Sequence, residues 1–290
     1  LGEGAPSVHE RPRPAIWVRL AEAKVHFLIT LGWTKQGQVA LTELREATGQ
    51  AGEASHTLMA DLYAALLAGQ AGLPEVWLEG IRTVSIDMPA VHVRHLSARI
   101  ELERARVHLA FGWARSARDH AQQAGALAER DHDPIMKARA AVLEAASLRM
   151  DNRLSEASST LQSTLVSMKS IADWPLLLEA RIVFLDIQIE RSTKKVLTER
   201  LAREALNLGE SALKKQAYGY AAHALGLQAI GLLKVGQVAE ALESADRALV
   251  QSQQGSGRKQ RAHYYLHLVS LMRRRAGRKA AGDALALRAV

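Results

Sequence analysis

Residues 222–249 read AHALGLQAIGLLKVGQVAEALESADRAL, and this stretch decides the fold. A small residue, Ala229, sits in the middle of a first helical run, and Gly236 follows where that run should end. Ala241, Ala245 and Ala248 then recur at spacings of four and three, the spacing that places them on one helix face. Gly236 can take the left-handed conformation that closes a helix. Ala241 and Ala248 leave room for the second helix to lie close against the first. The stretch therefore predicts a helical hairpin packed through small residues.

Weaker copies recur along the chain. Gly112 is preceded by Ala105 and followed by Ala117, Ala121 and Ala124. Asn152, also tolerant of left-handed geometry, is preceded by Ala145 and followed by Ala157, Leu161 and Thr164. Gly72 lies between Ala65 and the pair Trp77 and Ile81. Gly37 follows Trp33, and Gly277 precedes Ala286 and Ala289. The markers at 37, 72, 112, 152, 236 and 277 are separated by 35, 40, 40, 84 and 41 residues. Ser192 occupies the place of the marker missing from the gap of 84. Any Ala-rich helical bundle shows small residues at helical spacing, but it has no reason to repeat a turn about every 40 residues.

The spacing thus predicts an all-α, right-handed superhelical solenoid of about seven hairpins. It forms one domain over residues 15–290, with a basic last repeat at about 259–290. Residues 1–14 are Pro-rich and read as an arm or linker remnant, and QSQQGSGR at 251–258 reads as a flexible loop.

Small residues at the hairpin crossing and Gly between the helices resemble the tetratricopeptide (TPR) consensus. With a period near 40, the chain is similar to the helical-repeat sensor regions of large bacterial regulators of the maltose-regulon-activator type. The stretch HYYLHLVSLMRRRAGRKAAGDALALRAV is similar to repeat regions attached to bacterial transcriptional-activation domains of the antibiotic-regulator type. The resemblance implies a protein- or peptide-binding module, the sensor or interaction part of a bacterial protein of signal transduction or transcription regulation. Such regulators carry nucleotide-binding and DNA-binding domains as well. The stretch LTELRE at 41–46 faintly resembles the start of a DNA-binding unit, but it sits inside a repeat.

Composition narrows the function further. Hydrophobic residues make up 48% of the 290, mostly Ala and Leu, with only three Phe, five Tyr and five Trp. The chain can bury a sizeable core, and its commonest residues favour helix. Cysteine is absent, which excludes disulfides and thiolate metal sites and fits a reducing, cytoplasmic setting. No apolar run approaches the ~18 residues of a membrane span, and no signal peptide opens the chain. Because it begins at Leu1, the chain reads as a fragment or processed form, which leaves room for a further N-terminal domain.

Phosphate-cradling GxxxxGK[ST] and GxGxxG loops are missing, as is GxSxG. His263 and His267 stand four apart, and His92 and His95 three apart, but neither pair has an evident third ligand. No cofactor, metal site or catalytic residue is expected.

First helices of a hairpin solenoid line its concave face, where a ligand binds. Mapping the repeats onto that pattern places Phe27, Leu31 and Lys35, then Met59, Leu62 and Leu66, in the groove. Arg99, Leu102, Arg106 and Leu109 follow, with Arg139, Val142, Ala146 and Arg149 after them. Ile182, Asp186 and Ile189, and finally His223, Ile230 and Lys234, complete the surface. Four arginines in an apolar groove suit an acidic or amphipathic peptide, since guanidinium grips carboxylate in a planar, bidentate way. The opposing expectation is that Glu101, Glu103 or Glu144 already neutralises them. The groove lacks the Asn of the Lys and Asn clamp used by chaperone-tail-binding repeats.

Charge supplies the alternative. Residues 1–250 hold 29 Lys and Arg against 29 Asp and Glu, whereas residues 251–290 hold 9 against 1. Arg273, Arg274, Arg275, Arg278 and Lys279 could therefore contact nucleic acid or an acidic partner. The three consecutive arginines also suit the last turn of a helix that Gly277 would close.

Overall fold

The computed structural model describes residues 14–31, 33–71, 73–91, 94–171 and 173–255. Twelve α-helices follow one another there, paired as six hairpins. The hairpins are α1 (Pro14–Leu31) with α2 (Thr34–Ala51), α3 (Ala54–Gln70) with α4 (Pro74–Val91), and α5 (Arg94–Ala110) with α6 (Ala114–Arg130). Then come α7 (Pro134–Met150) with α8 (Leu154–Ser167), α9 (Trp174–Arg191) with α10 (Lys195–Lys214), and α11 (Tyr218–Lys234) with α12 (Val238–Gly255). No strand occurs among the described residues. The molecule is the helical-hairpin solenoid that the spacing predicts. The expected seventh hairpin at about 259–290 and the arm ahead of Pro14 lie outside the described residues.

The turns inside the hairpins explain the period. An amide reaching back five residues closes each of five of them: Trp33 to Leu28, Leu73 to Ala68, Trp113 to His108, Arg153 to Leu148, and Gln237 to Leu232. These closures satisfy carbonyls that the helix end would leave bare. Their amides stand 40 residues apart through the first four hairpins. Asn152 and Gly236 take left-handed φ values of 59° and 87°, as expected of turn markers. Gly37 does not mark a turn. It lies inside α2, where a Cβ would come within 2.8 Å of the Leu67 side chain, so it is a close-packing residue. The expected loop at 251–258 is also corrected in part, because α12 runs on to Gly255 with Ser252 buried.

The fifth hairpin lacks a left-handed residue, and Ser192 ends α9 in an extended conformation instead. The bare carbonyls find a substitute in the next hairpin. Lys234 Nζ donates to the carbonyls of Ile189 (2.6 Å), Glu190 (3.0 Å) and Ser192 (3.0 Å). A cation at a helix C-terminus is also favoured by the helix dipole. Asp133 and Asp173 cap the starts of α7 and α9 by accepting from the Met136 and Leu176 amides, each with a proline in the first turn.

Second helices bury their small residues. Ala117, Ala121 and Ala124, then Ala241, Ala245 and Ala248, are fully enclosed. A Cβ on Gly80 would come within 2.7 Å of the Ala65 Cβ, so α3 and α4 cross as closely as backbones allow. Superhelical winding then returns the chain upon itself. Leu31 and Trp33, in the first hairpin, join the apolar cluster of Ile182, Leu185 and Leu227 in the fifth and sixth. That contact narrows the concave face into a cavity.

Candidate functional site

The cavity measures about 520 Å³ and receives side chains from α1, α3, α4, α5, α7, α9 and α11. First helices supply most of the wall, while Trp77 enters from α4. Leu66, Leu102, Leu109, Met136, Leu143 and Val183 make the apolar part. All four groove arginines expected from the sequence converge here, with Leu102 beside them.

None of these guanidiniums lacks a carboxylate. Arg99 lies 3.4 Å from Glu22, stacks its guanidinium 4.6 Å from the Tyr63 ring centre, and donates to the Tyr63 hydroxyl at 2.6 Å. Arg106 donates to Glu103 Oε1 at 2.5 Å. Arg139 reaches Asp173 at 3.0 Å, so the carboxylate capping α9 also ties α7 to it. Arg149 stands 3.0 Å from Asp186 and 2.9 Å from Glu190, and its Nε makes no aligned hydrogen bond. Of the three acids expected to neutralise the arginines, only Glu103 does so. Glu101 pairs with Arg104 and His120, and Glu144 accepts from Gln122.

Burial sets the protonation of the wall. The His26 imidazole is lowered to about 3, chiefly by burial and further by Arg99, Arg139 and Arg106. It is therefore neutral, and its Nδ1 accepts from Arg99 at 3.1 Å. Burial also pushes the Tyr63 hydroxyl up to about 12, against the pull of Arg99. Asp186 is raised to about 6, by burial first and by Glu190, although Arg149 opposes the rise. Arg106 is held above its ordinary value: burial works against it, but Glu103, Glu179 and Tyr220 outweigh burial.

Four polar atoms of residues that line the cavity are buried without a hydrogen-bond partner: Gln70 Oε1, Trp77 Nε1, Glu103 Oε2 and Arg149 Nε. The Gln70 amide is oriented by its own donation to the Ile29 carbonyl. Residues of the lining thus hold one amide acceptor, one carboxylate oxygen and two N–H donors unsatisfied beneath the cavity surface.

Several expected groove residues lie elsewhere. Val142 is 1% exposed and belongs to the core formed with Ala145 and Leu161, and its neighbour Leu143 lines the cavity instead. Met59, Leu62, Ile182 and Ile189 are likewise core. Phe27 points to solvent, 51% exposed. Lys35 is exposed on α2, because the first turn falls at Trp33 rather than at Gly37. Ile230 packs against the core of the last two hairpins, and Lys234 is a helix cap. Leu31, Leu66, Leu109, Ala146, Asp186 and His223 do line the cavity. His26, Gln70, Trp77 and Glu179 carry no sequence signal, whereas Glu103 was legible only as an arginine partner.

Arg273, Arg274, Arg275, Arg278, Lys279, His263 and His267 lie outside the described residues, as do His92 and the side chain of His95. No group of three or more metal-ligating side chains occurs among the described residues, and no helix there is long and apolar enough to cross a membrane.

No protein-family model matches the chain, and no curated protein matches it in sequence. Solved structures are similar in fold. A Rap protein complexed with competence and sporulation factor superposes with a TM-score of 0.73 at 12% identity, over 96% of this chain and 76% of that one. The apo form of RapI gives a TM-score of 0.56 at 11% identity, over 92% of this chain and 74% of that one.

Proposed function

We propose that this chain is a non-catalytic, peptide-binding TPR-like module, the sensor or interaction part of a bacterial regulatory protein working in the cytoplasm. One observation carries the reading. The concave cavity sets buried, unpartnered hydrogen-bonding atoms, Gln70 Oε1 and Trp77 Nε1, among leucines. An extended peptide presents N–H donors and C=O acceptors at short intervals between apolar side chains. It can satisfy an acceptor and a donor on the same wall, and leaving them unsatisfied is costly. Support also comes from the solenoid of similar fold solved with competence and sporulation factor.

The arginines act as the scaffold of the cavity. Each holds an acid from another helix or another turn of its own, which fixes the first helices around the ligand. Arg99, Arg106, Arg139 and Arg149 remain the wall that a peptide would touch, with Leu102 and Leu143 beneath it.

Fluorescently labelled, randomised pentapeptide pools titrated into the chain test this reading by anisotropy. Saturable binding is expected, abolished by Ala146→Trp, which fills the cavity from α7. Failure of every pool to bind would refute it. Contact of nucleic acid with the basic stretch 251–290 is the alternative, favoured by the charge asymmetry alone. It requires duplex DNA binding that falls steeply with salt, with a shallower slope when Arg273, Arg274 and Arg275 become Ala.

A further inference from the structure

Glu103 is the most deeply buried charged side chain among the described residues, at 2% exposure, yet only one of its oxygens is used. Oε1 accepts from Arg106, and Oε2 has no partner. A bidentate arginine would have satisfied both oxygens, but Arg106 reaches back three residues along its own helix and engages one. A buried carboxylate oxygen left without a donor is rare in folded proteins and requires a cause. Glu179, from α9, lines the same cavity and also acts on Arg106.

The arginines of the same cavity are already engaged. Arg99 is held by Glu22, Arg106 by Glu103, Arg139 by Asp173, and Arg149 by Asp186 and Glu190, and of the acids only Glu103, Glu179 and Asp186 line the cavity itself. The unused bonding capacity at Glu103 is that of an acceptor carrying negative charge. Its complement is a cation with N–H groups.

On the peptide reading of the cavity, we propose that Glu103 and Glu179 form a subsite for a cationic nitrogen of the ligand, a guanidinium or an ammonium. The group donates to Glu103 Oε2, and Glu179 adds to the field that holds it. Arg106 is the positioning residue: it holds Oε1 and leaves Oε2 as the oxygen with unused acceptor capacity.

Pentapeptide pools with one position fixed as Arg, Lys, Gln or Glu, each with a free or acetylated N-terminus, read the subsite directly. Binding to the 290-residue chain is expected to be at least tenfold tighter for pools offering the cation than for Gln pools, and weakest for Glu pools. Preference for Arg or Lys identifies a side chain, while loss of binding on acetylation identifies the terminal amine. Glu103→Gln should erase the preference, and Glu179→Gln should reduce it. Glu144→Gln, whose carboxylate accepts from Gln122 on α6, should leave it intact.

Pools that bind without preference for a cation would overturn the subsite and leave the peptide reading standing. So would an unchanged preference in folded Glu103→Gln and Glu179→Gln variants. If no pool binds, agmatine tests the subsite alone. A rise in melting temperature for the native chain that Glu103→Gln lacks supports the cation site without a peptide, and no rise overturns both.

Discussion

Replacing Asp186 by Asn should make the protein more stable at neutral pH and not at low pH. Asp186 is 14% exposed at its side chain and faces Arg149, with Glu190 as a second carboxylate on the same guanidinium. Its ionisation is raised from 3.8 to about 6, by burial first, with Arg149 opposing and Glu190 assisting the rise. A carboxyl whose folded value lies above its unfolded value binds its proton more tightly in the folded state. Its contribution is then fully present below pH 3.8 and is lost as pH rises through 6. The difference corresponds to about 3 kcal/mol at 1.36 kcal/mol per pH unit.

An Asn side chain cannot ionise, so it removes this dependence while Glu190 still faces Arg149. Urea unfolding of both proteins from pH 3.5 to 8 isolates the residue, because all other titrations are common to the pair. The stability of Asp186→Asn relative to the native chain should climb by about 3 kcal/mol across that range, with most of the climb between pH 4 and 6.5. A difference independent of pH would refute the reasoning, for it would mean that Asp186 ionises equally well folded and unfolded. A difference falling with pH would show that Arg149 outweighs burial and Glu190 together.

Other outcomes follow from the packing. Ala241→Leu should overfill the crossing of α11 and α12 and cost about 1–3 kcal/mol by urea unfolding, while the same change at exposed Glu243 costs almost nothing. Lys234→Met should cost about 1–3 kcal/mol, because it strips three carbonyls at the end of α9 of their donor and nothing else is placed to cap them. Arg99→Met should cost about 2–4 kcal/mol, since it takes the cation from the partly buried Glu22 and leaves it only the Tyr63 hydroxyl as donor, and loss of the pair is measurable in the same assay.

Much of the architecture could be read from local spacing. A turn that recurs every 40 residues needs a left-handed residue and a small-residue face after it, and both are visible one hairpin at a time. Where one signal failed, a physical substitute had taken its place. Ser192 ends α9 without a left-handed residue because Lys234, 42 residues away, satisfies the bare carbonyls. Gly37 misled because a glycine needed for close approach to Leu67 looks the same in sequence as a glycine needed for a turn.

By itself, then, the sequence determined the helices, their pairing, the small residues at the crossings and which arginines stand on first helices. These depend on neighbours three to five residues away. Only the tertiary structure decided what those arginines face. Arg99 meets Glu22 across 77 residues and Arg139 meets Asp173 across 34. Superhelical twist, set by how each hairpin packs on the last, rotates Val142 into the core and Leu143 into the cavity. The same twist brings Gln70, Trp77, Glu103 and Glu179 around one cavity. Charge in a groove is a sum over every helix that borders it, and no single repeat contains that sum.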